Sequence, residues 1–84
     1  MNNYVTGKII KELREKKGLT QLELANVIGV SDKAISKWET SKGLPDITLI
    51  EPLAKALNIS IIELISGDYV INNNKESKNK KSKL

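Results

Sequence analysis

The chain has 84 residues, enough for one small domain, and contains neither cysteine nor histidine, which excludes disulfides, the usual zinc sites and the common His- or Cys-based nucleophile pairs. No apolar run approaches the ~20 residues of a membrane span, and no hydrophobic leader follows the opening MNNYVTGK. The net charge of +4 belongs to the last thirteen residues; residues 1–71 carry nine basic and nine acidic side chains. Within that neutral body, residues 1–45 have an excess of three positive charges and residues 46–71 an excess of three negative ones. One end is thus suited to face phosphates while the other avoids them. These bounds predict a cytoplasmic domain that is not an enzyme and uses no metal or cofactor. Abundant Lys, Asn and Ile with no Phe point to an AT-rich bacterial genome.

A first helix is predicted from Val5 to Lys17. Val5, Ile9, Ile10 and Leu13 recur on one face, Lys16 and Lys17 suit the negative end of the helix dipole, and Gly18 ends it. Gly7 reads as a weak point where the first turn frays. Arg14 stands one residue off the apolar stripe, so its head reaches inward at the edge of the core.

The stretch Leu19–Trp38, LTQLELANVIGVSDKAISKW, organises the rest. Thr20 and Glu23 have the T-x-x-E spacing of a capping box, and Leu24, Ala25 and Ile28 share one face of the second helix. Gly29 can take the left-handed backbone that ends it. Val30 fills the angle, and Ser31 caps a third helix, Asp32–Thr40, which buries Ala34, Ile35 and Trp38. Trp38 reads as a core anchor. The opposite face carries Asp32, Lys33, Ser36 and Lys37, and a polar loop closed by Gly43 follows.

Leu44-Pro45-Asp46 is a turn before a fourth helix, Ile47–Leu57, with Ile50, Leu53, Ala54 and Leu57 buried. Pro52 breaks a local rule. Either the helix kinks there, or it begins near Leu49 with Thr48 as cap and Glu51 closing a box. Asn58 ends it, and Ser60 with Glu63 caps a short fifth helix, Ile61–Ser66. More apolar residues follow than one narrow face needs. Ile61, Leu64, Tyr69, Val70 and Ile71 are candidates for a self-association surface; the alternative is that they cover the base of the core. From Asn72 the Lys/Asn/Ser-rich tail is expected to be disordered. It reads as a source of salt-sensitive DNA affinity or as the beginning of a linker.

Gln21, Ala25, Gly29, Ile35 and Trp38, at these offsets and with caps at both helix starts, resemble the helix-turn-helix pattern of the Cro and phage-repressor (XRE-like) family. The likeness extends over residues 4–66. It implies an all-α, compact five-helix bundle over residues 1–71 that binds double-stranded DNA. It also implies a third helix in the major groove, with Asp32, Lys33, Ser36 and Lys37 at bases. Phosphate contacts are implied for Thr20, Gln21, Ser31, Thr40, Ser41 and Lys42, and an ion pair for Arg14 and Glu39. The expected function is a transcriptional repressor that occupies a palindromic operator as a homodimer. The C-terminal end is the place for a second domain or protein partner. The alternatives are an antitoxin using the same module, or an interaction module that no longer reads DNA.

Overall fold

The computed structural model describes residues 2–67. Among them are five helices and no strand: α1 (Asn3–Lys16), α2 (Gln21–Ile28), α3 (Asp32–Glu39), α4 (Ile47–Leu57) and α5 (Ile61–Ser66). Tyr69, Val70, Ile71 and the tail from Asn72 lie outside the described residues.

Each helix start has a local chemical cause. The Thr20 and Ser60 hydroxyls accept from the backbone N–H of Glu23 and Glu63, and those two carboxylates accept from the cap N–H groups in return. α1 begins two residues earlier than its apolar stripe suggests, because the Asn2 side-chain oxygen accepts from the N–H groups of Tyr4 and Val5. The first turn is therefore capped, and Gly7 has a different purpose from the weak point expected of it. It is buried where α1 crosses the end of α3, and a Cβ there would collide with the carbonyl oxygen of Trp38. α1 ends at Lys16, one residue early: Leu19 N–H donates to Arg14 and Gly18 N–H to Glu15, a left-handed closure around Gly18.

α4 begins at Ile47. Asp46 is its cap, accepting from the Thr48 N–H and hydroxyl, which removes the alternative start capped by Thr48. Pro52 lies within the helix, so the carbonyl of Thr48 has no amide four residues on to accept from.

The core is one cluster to which every helix contributes. Ile9, Ile10 and Leu13 come from α1, Leu24 and Ala25 from α2, Ile35 and Trp38 from α3, Ile50, Leu53, Ala54 and Leu57 from α4, and Leu64 from α5. Removing the leucine and isoleucine side chains from water stabilises the fold by roughly 1.5–3 kcal/mol each. α3 packs against both α1 and α2, and α4 and α5 close the other side of α1. The third helix is thus held from behind and leaves its front open.

Candidate nucleic-acid interface

Ile35 is fully buried and Trp38 nearly so, and these two fix the rotation of α3 about its axis. That rotation leaves Asp32, Lys33 and Lys37 exposed; Ser36, between them, is partly buried. The short turn into α3 follows from Gly29, whose φ of 78° ends α2, and from Ser31, whose hydroxyl accepts from the Ala34 N–H. α3 ends at Glu39, one residue before the expected Thr40. The chain reverses at Ser41, with φ 65°, where Lys42 N–H donates to Lys37 and Ser41 N–H to Trp38. The loop turns on Ser41; Gly43 has no positive φ.

Behind α3 lies a charged network. Arg14 donates from Nε to Glu39 Oε2 at 2.6 Å and from Nη2 to Oε1 at 3.0 Å, and its Nη1 donates to the Leu19 carbonyl at 2.7 Å. The Glu39 side chain is only 2% exposed. Gln21 Nε2 donates a third hydrogen bond to that carboxylate at 3.0 Å. The hydrogen bond with Glu39 raises the Arg14 pKa above its ordinary value, against the lowering effect of burial. The network ties α1, the first residue of α2 and the last residue of α3 together.

The groups expected at phosphates divide by where their protons go. The Thr20 and Ser31 hydroxyls accept capping bonds, at 3.0 and 3.2 Å, and each keeps its own proton to donate. Gln21 spends one amide N–H on Glu39 and has a second. The Thr40 hydroxyl instead donates back to the Ser36 carbonyl at 2.8 Å, which occupies its proton. Ser41 is partly buried and Lys42 exposed. Thr20, Gln21 and Ser31 fall at the starts of α2 and α3, where the helix dipoles favour an anion.

The expected self-association surface needs one correction. Leu64 is completely buried, because the Ser60–Glu63 capping box turns it onto the core. Ile61 is exposed and lines an apolar groove with Leu44, Pro45, Ile47, Ile50, Glu51 and Ile65. The sequence reading missed Leu44, Ile47 and Ile65 as an exposed surface. The signal was present as two apolar residues in a turn, Leu44 and Pro45, followed at once by Ile47 beyond the α4 cap.

These features define a class of protein: a helix-turn-helix domain with a buttressed third helix. The helix-turn-helix family profile matches residues 10–64, and the chain belongs to that family; its similarity to a phage repressor places it in the Cro and phage-repressor branch. It is 42% identical over 62 residues to the HTH-type transcriptional activator BcrR of Enterococcus faecalis, covering 74% of this chain and 30% of BcrR. It is 33% identical over 66 residues to the antitoxin PezA of Streptococcus pneumoniae, covering 79% of this chain and 42% of PezA. The matched stretch therefore spans less than half of either relative. The crystal structure of the P22 c2 repressor in complex with a synthetic operator superimposes with a TM-score of 0.72 at 38% identity, covering 75% of this chain and 96% of that one.

Proposed function

We propose that this domain is a sequence-specific regulator of transcription that occupies a palindromic operator as a homodimer, with α3 in the major groove, and that its effect is repression. The observation that carries the reading is the front of α3, where Asp32, Lys33 and Lys37 stand exposed on a helix fixed from behind by Ile35, Trp38 and the Arg14–Glu39 pair. The major groove admits such a helix, and lysine donors match guanine O6 and N7 while an aspartate accepts from cytosine N4. Ser36 supplies a shorter contact between them. Thr20, Gln21, Ser31, Ser41 and Lys42 hold the flanking phosphates and set the register. Thr40 contributes by closing α3. The similarity to an operator-bound repressor supports this reading. The C-terminal end is the place where a second domain or protein partner would join; the similarity covers 30% of BcrR and 42% of PezA.

The test is selection from a random DNA duplex library, followed by affinities for the winner and a scrambled duplex at several salt concentrations. The expected outcome is a palindromic winner bound ~10³-fold or more tightly than the scramble at physiological salt. Lys33→Ala and Lys37→Ala should each lose preference at particular base positions. Weak binding that is equal for both duplexes overturns the proposal. The similarity to PezA favours one second reading, an antitoxin built on the same module. A toxin protein co-purifying with the natively expressed chain would support it.

A further inference from the structure

Gly43 is unexplained by its backbone. Gly18, Gly29 and Gly67 have positive φ values that favour glycine, but Gly43 does not. What surrounds it is the side chain of Lys37. A Cβ placed on Gly43 would lie 3.3 Å from Lys37 Cδ and 3.5 Å from its Cγ and Cε. A first side-chain carbon on residue 43 would touch the stem of the lysine, most tightly at Cδ, where the stem would have to give by a few tenths of an ångström.

The cause is traceable to the loop. Ser41 turns the chain with φ 65°, and the Lys42 N–H closes onto the Lys37 carbonyl at 2.9 Å. That closure brings residue 43 back alongside the last turn of α3. The Lys37 ammonium is a point charge on a four-carbon stem with many rotamers, and holding it at one base costs rotamer freedom. A stem confined beside residue 43 has less freedom left to lose when DNA arrives.

We propose that Gly43 is a specificity-determining position that acts through Lys37: it is the seat that directs this ammonium at its base. The inference rests on the reading of α3 as the base-reading helix. The atoms a Cβ would press on belong to a flexible exposed side chain, so in Gly43→Ala the lysine shifts and the fold does not.

The experiment compares the wild type, Lys37→Ala, Gly43→Ala and the double variant by library selection, by affinity for single-base variants of the selected site, and by thermal melting. Lys37→Ala should lose roughly 5- to 150-fold of discrimination at the bases it reads. Gly43→Ala should melt with the wild type and lose about 3-fold or more of discrimination at those same bases, and it should add nothing once Lys37 is absent. Suppose Lys37→Ala changes the preference and Gly43→Ala does not: the inference is overturned and the reading of α3 stands. A Gly43→Ala effect that persists without Lys37, or a large loss of melting temperature in both backgrounds, makes the glycine structural and also overturns it. If the wild type selects no sequence, or Lys37→Ala leaves base preference unchanged, the reading of Lys37 fails and the inference falls with it.

Discussion

Glu39 is the residue on which the position of α3 turns. Its carboxylate is almost wholly out of water and accepts three hydrogen bonds, two from Arg14 and one from Gln21. A buried charge of this kind is tolerable only while its partner is present. Arg14→Met should therefore destabilise the domain by about 3 kcal/mol or more, because Glu39 is left buried and uncompensated. Arg14→Met with Glu39→Met should recover most of that loss, which a double-mutant cycle in urea would measure. Losses that simply add would mean the two groups are independent. Gly7 makes the second prediction at this scale. In an ordinary helix Gly→Ala gains up to about 1 kcal/mol. Here the new methyl meets the Trp38 carbonyl, so Gly7→Ala should lower stability by about 2 kcal/mol or more, read from the urea midpoint. A gain would show that α1 and α3 have room to part. Arg14 could be placed near the core from its offset to the apolar stripe, and its partner from family likeness. The Gly7 contact could not be read this way, since helical periodicity tells which face is inward but not which backbone atom of another helix it meets.

Capping explains which element boundaries were legible. The boxes at Thr20 and Ser60 are local, four residues long and self-contained, so spacing alone located them. α3 stops at Glu39, one residue short of the expected Thr40, and the left-handed position in the loop falls on Ser41, which carries no turn signal as strong as that of Gly43. At α4 two start signals competed, and Asp46 prevailed over Thr48 by engaging both its N–H and its hydroxyl. That cap carries a pH dependence. The hydrogen bonds from the Thr48 hydroxyl and N–H hold the Asp46 carboxyl below its ordinary pKa. A depressed folded-state pKa means the unfolded chain binds the proton first as pH falls. The stabilisation is thus complete above the ordinary carboxylate value, near pH 4, and is lost as pH drops through the lower folded value. Asp46→Asn keeps a capping oxygen and removes the titration. Melting temperatures between about pH 6 and pH 2 should fall less steeply for Asp46→Asn than for the wild type. Parallel curves would show that the cap does not titrate with folding.

At the scale of the whole molecule, the domain presents two different surfaces. Polar and cationic groups stand out along α3, whereas Leu44, Ile47, Ile61 and Ile65 leave apolar area in a groove between the start of α4 and α5. A second copy seated on that groove would give the two-fold arrangement that a palindrome with half-sites roughly 10 base pairs apart requires. Ile47 is the residue through which to test this, being 84% exposed and the first residue of α4. Its exposure means that replacing it takes little from the core, and an acidic side chain suits the positive end of the helix dipole. Ile47→Glu should therefore melt with the wild type and bind an isolated half-site equally well. Joining two half-sites raises affinity through effective concentration only while the two copies hold each other. The preference of Ile47→Glu for the full palindrome over the half-site should accordingly fall by at least ~10-fold, and sedimentation at high protein concentration should show a monomer where the wild type shows a dimer. An unchanged preference and an unchanged mass would move the self-association surface away from the groove and leave α3 to read each half-site alone.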